Sequence, residues 1–427
     1  MINKYIRSYR IIRDLRENLW LKTSELKAIQ GKKLKVILTH AYQNVPFYQR
    51  LFDEAGVKPG DVEDCEDISK IPITTKLQLK NAGKDTRARN IDIYVEHKTS
   101  GSTGIRISLY FSMEDALYNR GTYERARNEN GFRILRDTLL IIGNPQTIPI
   151  KREWYEYFGI RRRAGLNVFE PLDVQIQILI KTKPDALWGY PSAIKLLAKI
   201  IREKGVKGTS PRLIFTASEL LDSETRNLIN SVFNVDLIDA YVAEEGGCMA
   251  WECPNHAGYH MSMDTVLMEF VDENGNRVGA GEKGKVVITN LHSFAMPIIR
   301  YELGDFAIPT YKECSCGRPG YLIKAIEGRC DDSIRLSGNK LISPRILVPI
   351  IESIPGVSEF QVVQEKENEI IVYIVKIEGY NDSILFQAVD REFKKILGND
   401  VLLINTRIVE NIPRAPSGKL RSVISRT

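Results

Sequence analysis

Leu139-Leu140-Ile141-Ile142 and Leu213-Ile214-Phe215-Thr216 are the two stretches that decide the fold class. Each is a short apolar run, the pattern of a strand buried on both faces. Between them the pattern changes to helical spacing, as in Ala193–Ile201. Short apolar strands alternate with helical segments in this way from about residue 91 to 250. Such alternation predicts an α/β sheet whose strands are joined by crossover helices.

Outward from this core the texture differs on both sides. Residues 1–80 read as helices with polar breaks. Leu34, Ile37, Leu38 and Ala41 follow helical spacing, and Asn44-Val45-Pro46 ends the run, because a residue before proline avoids the α region. From 264 to 310 the pattern is all-β. Val266–Val271 precedes the turn signal Asp272-Glu273-Asn274-Gly275, and Lys285–Thr289 and Ile298–Tyr301 read as further strands. Beyond 330 comes a smaller α+β unit. It has a helix near Arg345–Ser353, strands at Glu359–Val363 and Glu369–Val375, a helix near Ser383–Leu397 and a last strand at Leu402–Val409. The expected organisation is a helical part at 1–90, an α/β and β-rich core at 91–330, and a small C-terminal domain at 331–427. No internal repeat is visible.

Composition narrows the function classes. Hydrophobic residues make up 43% of the 427 and charged residues 27%, as in ordinary globular proteins. The net charge of +6, from 60 basic and 54 acidic side chains, is spread over a large surface. A nucleic-acid binder shows a concentrated basic stripe instead. There is no uninterrupted apolar run of about 18 residues, hence no expected membrane span. Arg and Asp break every apolar run in the basic N-terminal stretch Met1–Asn18, so it is not a signal peptide and reads as a packed or solvated helix. The cytoplasm is the expected compartment. Oligomeric state is not legible.

Five segments carry chemistry. Thr99-Ser100-Gly101-Ser102-Thr103-Gly104 combines two glycines, which bring backbone N–H groups close to a ligand, with four hydroxyls. Such a loop can cradle phosphate oxygens, although it is not a Walker loop. Ile412-Pro413-Arg414-Ala415-Pro416-Ser417-Gly418-Lys419 presents a lysine after two stiffening prolines and a glycine turn. Arg300-Tyr301-Glu302-Leu303-Gly304-Asp305 ends on a carboxylate, suited to ribose hydroxyls. Gly328-Arg329-Cys330-Asp331-Asp332 and Tyr241-Val242-Ala243-Glu244-Glu245-Gly246-Gly247 complete the set.

In this order and spacing the five segments resemble the adenylate-forming superfamily of acyl- and aryl-CoA ligases, over nearly the whole chain. Asn44-Val45-Pro46-Phe47-Tyr48 and Ile71-Pro72-Ile73-Thr74-Thr75-Lys76 are similar to the phenylacetate–CoA ligase branch, which includes capsule-biosynthesis proteins. The resemblance implies a large N-terminal domain and a small mobile C-terminal one. It implies that Thr99, Ser100, Gly101, Ser102, Thr103 and Gly104 bind the β- and γ-phosphates of ATP. Ser218 and Glu219 would lie by the adenine, with Tyr241 stacked on it. Glu245 would hold magnesium, Asp305 the ribose, and Arg329 ribose or phosphate. Asp331 would be the domain hinge and Lys419 the catalytic lysine. Ile105-Arg106 stands where many relatives place Lys-Pro. Either Arg106 is the cation there or the position has no charge.

The implied reaction joins a carboxylic acid to the α-phosphate of ATP, releasing pyrophosphate. Magnesium and the Lys419 ammonium would offset the repulsion between the two anions. The acyl-adenylate then passes to CoA as a thioester, after a domain rotation that withdraws the lysine. Transfer to an amine, such as an amino sugar or amino acid, is the alternative, since the adenylation motifs are the same. A catalytically idle ATP- or AMP-binding protein is the third reading, and intact Glu245, Asp305 and Lys419 speak against it. The sequence does not name the acid.

The cysteines suggest a separate site. Cys253-Pro254-Asn255-His256-Ala257-Gly258-Tyr259-His260 lies about fifty residues before Cys314-Ser315-Cys316-Gly317. Thiolates and imidazoles are zinc's preferred ligands in closed tetrahedral sites. Cys253, His260, Cys314 and Cys316 are the expected structural zinc ligands, with His256 an alternative to His260 and Cys248 a weaker candidate. Four ligands leave no open position, which speaks against a catalytic zinc. Arg161-Arg162-Arg163 reads as a solvated charge run rather than a CoA site. Trp188-Gly189-Tyr190-Pro191-Ser192 is either part of the acyl pocket or a strand-to-helix turn with a serine cap. His40, His97 and His292 have no assigned role.

Overall fold

In the computed structural model the described residues are 2–99, 107–145, 148–149, 156, 159, 162–329, 332–336, 341–366, 368–397 and 403–426. The chain forms two compact units: Met1–Arg133 with Ile238–Ile326, and Ile134–Leu237 with Glu327–Thr427.

The first unit opens with the helices Ile2–Asn18, Thr23–Asn44, Pro46–Glu54 and Lys76–Ala82. The break at Asn44 is where the sequence places it. Val45 is extended at φ −117°, and Pro46 starts the next helix, where its missing N–H costs nothing. The same unit holds a strand series in the order Val266–Val271, Gly284–Asn290, Tyr301–Thr310, Leu322–Arg329, Tyr259–Met261, Gly247–Glu252 and Ile238–Ala243. Only the end of Leu322–Arg329 passes into the second unit. Leu34, Ile37, Leu38 and Ala41 of the second helix pack with Val45 at the break and with Tyr48 and Phe52 of the third helix. A second core gathers Tyr241, Met249, Val286, Ile288 and Tyr301 on the strands.

One strand starts later than the sequence suggests. Ile298–Arg300 is not paired as a strand, and the strand proper begins at Tyr301. Arg300 sits at φ 47°, in the left-handed region. There its buried guanidinium meets the Glu269 carboxylate at 3.1 Å and the Ile71 carbonyl at 2.7 Å. The conformational cost of such a residue, roughly 1–2 kcal/mol, is set against this buried ion pair.

In the second unit the two deciding runs are adjacent to the same central strand. Leu213–Ala217, Ala186–Gly189, Leu139–Gly143 and Arg163–Asn167 form parallel neighbours in that order. The helices Leu172–Thr182 and Pro191–Lys204 supply crossovers between these strands, and Ser223–Phe233 follows the last of them in the chain. Ile194, Leu197, Ala198 and Ile201 pack on Leu140, Ile142, Leu187 and Ile214. The C-terminal part has its own core. Strands Leu403–Ile408, Glu369–Lys376, Val357–Lys366 and Val423–Ser425 make a four-stranded sheet with the helices Pro344–Glu352 and Asp382–Leu397. Phe360, Val372, Leu385, Val389 and Phe393 fill it. The mixed α/β fold with a smaller α+β part is the class the sequence predicts.

Candidate functional site

Two constellations of polar residues stand out in the first unit and one in the second. Tyr241 lies on the Ile238–Ala243 strand and Asp305 on Tyr301–Thr310. The Tyr241 hydroxyl donates to the Asp305 carboxylate at 2.7 Å. An aromatic ring and a carboxylate from different strands are thereby fixed side by side. Glu245 follows in the turn after Ala243 and is buried. Its main-chain oxygen accepts from the Asn290 amide at 2.8 Å, and its carboxylate receives the Tyr301 hydroxyl at 3.4 Å. The turn needs its glycines. Gly247 sits at φ 71°, and a Cβ there would lie 2.9 Å from the side-chain oxygens of Asn119 and Thr122.

Glu244 points elsewhere and meets the ring of His97 at 3.0 Å. That contact raises the His97 pKa, opposed by burial. Sequence reading gave His97 no part, and no local pattern would have revealed a partner 147 residues away. Thr99 closes the base of the hydroxyl-rich loop. Its N–H donates to the Ile107 carbonyl at 3.0 Å, and its Oγ1 accepts from the Ile107 N–H at 3.2 Å. Ser100, Gly101, Ser102, Thr103, Gly104 and Arg106 lie outside the described residues.

The second constellation is the cysteine cluster. The ligand atoms of Cys253, His260, Cys314 and Cys316 all lie within 4.8 Å of one another. Cys253 and Cys314 are separated by 3.6 Å between sulfurs, and Cys316 Sγ is 3.4 Å from His260 Nε2. The Cys314–Gly317 turn is closed by the Gly317 N–H on the Cys314 carbonyl at 3.1 Å. Burial lowers the His260 pKa to about 4, helped by nearby Arg318, so the imidazole is neutral and able to ligate. Burial pushes the Cys253 thiol up to about 12. The Cys316 thiol goes the other way. Burial opposes ionisation there, but the Arg318 main-chain N–H and the neighbouring thiols favour it. His256, the alternative ligand, turns instead to Glu252 at 3.3 Å. Cys248 is buried with its sulfur 3.9 Å from the Ala250 carbonyl. Neither belongs to the cluster among the described residues.

In the second unit the loop bearing Lys419 is held against the parallel sheet. The Ser417 carbonyl accepts from the Asn144 amide and the Tyr190 hydroxyl, both at 3.0 Å. Gly418 adopts φ 81° and approaches so closely that a Cβ would lie 2.6 Å from Val168 Cγ2. Arg414 donates to the Ser192 hydroxyl at 2.9 Å. Glu219 takes the Leu420 N–H at 2.7 Å and the Ser192 N–H at 3.0 Å. Ser218, at φ 72°, makes the turn that delivers Glu219. Lys419 itself is half-buried.

Trp188–Ser192 forms a strand-to-helix turn. Its cap residue is Tyr190 rather than the serine, and Tyr190 gives no side-chain cap. The carboxylate of Glu219 substitutes for one, receiving an otherwise unpaired helix N–H. Arg329 is half-buried at the end of its strand, and its carbonyl accepts from Ser333 Oγ at 3.3 Å. Asp331 lies outside the described residues, and its neighbour Asp332 pairs with Arg421. In the former charge run, Arg163 is engaged by Glu156 at 2.9 Å rather than solvated.

No helix among the described residues is long and apolar enough to cross a membrane. Residues 336–426 match the CapK C-terminal domain family. A phenylacetate–coenzyme A ligase of Thermus thermophilus is 26% identical, with 95% of this chain and 97% of the relative covered. A phenylacetate–coenzyme A ligase of Escherichia coli is also 26% identical, over 92% of this chain and 93% of the relative. The crystal structure of 2-hydroxyisobutyryl-CoA ligase in the postadenylation state shares the fold. Its TM-score is 0.78 at 21% identity, covering 96% of this chain and 91% of that one. The chain is thus similar over nearly its whole length to phenylacetate–coenzyme A ligases, carries a match to the CapK C-terminal domain, and has the fold of 2-hydroxyisobutyryl-CoA ligase.

Proposed function

We propose that the protein activates a small-molecule carboxylic acid with ATP and transfers the acyl group to CoA. The observation that carries this reading is the Tyr241–Asp305 pair at 2.7 Å, the ring and carboxylate that a nucleoside needs, on a chain aligned over 95% of its length with a phenylacetate–coenzyme A ligase. In the first half-reaction a carboxylate oxygen attacks the α-phosphorus of ATP. A P–O bond forms, the bond to the bridging oxygen breaks, and pyrophosphate leaves. In the second half-reaction the thiol of CoA gives up its proton to solvent as its sulfur attacks the acyl carbon, the C–O bond to phosphate breaks, and AMP leaves.

Each residue has a task in this reading. Tyr241 faces the adenine, and Asp305 accepts hydrogen bonds from the ribose hydroxyls. Thr99–Gly104 wraps the terminal phosphates, with Ser218 and Arg329 contributing to nucleotide binding. Glu245 is a hard, buried oxygen donor. It fits magnesium, which uses one or two carboxylates together with substrate phosphates. The ion would withdraw charge from the leaving pyrophosphate. Lys419 neutralises the charge developing as two anions meet. Asp331 is the hinge that ends this arrangement before the thiol attacks. The cysteine–histidine cluster fits zinc as a closed structural site, because its donors are the soft set that ion prefers.

The test is pyrophosphate exchange into ATP across a panel of carboxylic acids, with Lys419→Ala alongside. Acid-dependent exchange that falls on the order of 10²–10³-fold in the variant is expected. Absence of exchange with every acid would favour an idle nucleotide binder. The mass of the product formed with CoA, against that with amines, identifies the acceptor.

A further inference from the structure

The loop that bears Lys419 reaches the parallel sheet through contacts of unequal chemistry. Asn144 and Tyr190 give neutral hydrogen bonds to one carbonyl, that of Ser417. Arg414 reaches Ser192 Oγ. Among the described residues, Glu219 joins the loop's backbone to a helix terminus through a carboxylate. One oxygen receives the N–H of Leu420, the residue after Lys419, at 2.7 Å, and the other receives the Ser192 N–H at 3.0 Å. Ser192 lies in the first turn of the 14-residue Pro191–Lys204 helix. An anion there meets an orphan donor and the positive end of the helix dipole.

These partners answer an electrostatic question. Burial raises the Glu219 pKa, and the two main-chain N–H groups, the Ser192 side chain and Arg414 act against that rise. One of those N–H groups belongs to the loop, so a withdrawn loop leaves the carboxylate short of a donor. The carboxylate and the loop therefore stabilise one another.

The geometry points to Glu219 as the positioning residue that clamps the Lys419 loop in its adenylating placement. This rests on the reading of Lys419 given above and adds to it a device that senses whether the loop is docked. The role differs from an adenine contact. It acts on Lys419 and therefore on the rate of the first half-reaction, whereas an adenine contact acts on nucleotide affinity.

Hydrogen exchange read by mass spectrometry on the full chain tests the clamp without any substrate. Loss of a hydrogen bond to a charged acceptor opens a protected amide roughly 10–100-fold more often. Glu219→Ala is expected to raise exchange at Leu420 by that factor. Glu219→Gln keeps one acceptor oxygen and should raise it less. The strand Leu139–Gly143 is the reference for folding.

Unchanged Leu420 exchange in Glu219→Ala, or a rise matched in the reference strand, overturns the clamp. With the acid that supports the strongest pyrophosphate exchange, Glu219→Ala should lower kcat on the order of 10–100-fold while the KM for ATP stays within about threefold. A raised KM with kcat intact would make Glu219 an adenine contact and overturn the positioning role. Exchange that survives Lys419→Ala would instead sink the reading of the lysine, while leaving the Leu420 result to decide the clamp.

Discussion

Replacing Glu352 with glutamine should reverse part of the pH dependence of stability in the second unit. Glu352 ends the Pro344–Glu352 helix, and its Oε1 lies 2.5 Å from Lys195 Nζ on the Pro191–Lys204 helix. Its other oxygen is buried without a hydrogen-bond partner. Asp222, which caps the Ser223–Phe233 helix through the Thr225 N–H at 2.7 Å, is the nearby second acid. Burial and repulsion from Asp222 outweigh the attraction of Lys195 and lift the Glu352 pKa from 4.5 to about 7. A carboxyl whose pKa rises on folding binds its proton more tightly in the folded state. Its contribution is therefore fully present below pH 4.5 and is lost as pH climbs through about 7. A shift of that size corresponds to about 3 kcal/mol at most. In a unit of roughly 200 residues this is on the order of 10 °C in Tm. Glu352→Gln cannot ionise, so its Tm relative to the parent should rise by about that much between pH 5 and pH 8. Differential scanning calorimetry of both proteins at several pH values measures it. A Tm difference that is the same at pH 5 and pH 8 would refute the premise that this carboxyl ionises against burial.

Two further outcomes follow from the other constellations. Purified protein should contain close to one zinc per chain, and chelation or Cys316→Ser should lower Tm by on the order of 10 °C, because a closed site contributes binding energy to folding; less than about 0.2 zinc per chain by elemental analysis removes the assignment. Asp305→Ala should raise the KM for ATP roughly 10–100-fold, the worth of a charged hydrogen bond, with a smaller effect on kcat; a KM within about twofold of the parent in pyrophosphate exchange would remove Asp305 from the ribose.

The elements were legible wherever periodicity was undisturbed. Leu139–Ile142 and Leu213–Thr216 are strands because every side chain in them is apolar or small enough to be covered on both faces. Val266–Val271 matches its strand to the residue. Ile298–Arg300 misled because its apolar pattern is that of a strand, while Arg300 is claimed by Glu269 and the Ile71 carbonyl. Only a contact with residues far along the chain distinguishes the two outcomes. The cysteine cluster was legible because ligand chemistry narrows the choice: thiols and an imidazole near a Cys-x-Cys-Gly turn have few other uses. The selection of His260 over His256 was not settled by type. The structure separates them through position, since His260 lies on the Tyr259–Met261 strand and His256 at φ 47° turns to Glu252.

What no reading of the chain supplied was the seat of the Lys419 loop. Its partners Asn144, Tyr190, Ser192 and Glu219 lie more than 200 residues upstream, with the Asn144–Ser417 contact spanning 273. None of them is a residue type that announces such a task. The energetics also differ from those of the permanent fold. Arg125 and Asp264 form an ion pair at 2.7 Å with side chains 0% and 2% exposed, and removing one partner of such a pair costs about 3–5 kcal/mol. The loop's hydrogen bonds are only part-buried, and each contributes about 0.5–1.5 kcal/mol net, more for the one to Glu219. Four such bonds sum to roughly 2–6 kcal/mol. That is the range over which a ligand's differential affinity can move a two-state equilibrium from one side to the other. On the role proposed for Lys419, contacts of that strength suit a charge needed for one half-reaction, firm enough to place it and weak enough to be released.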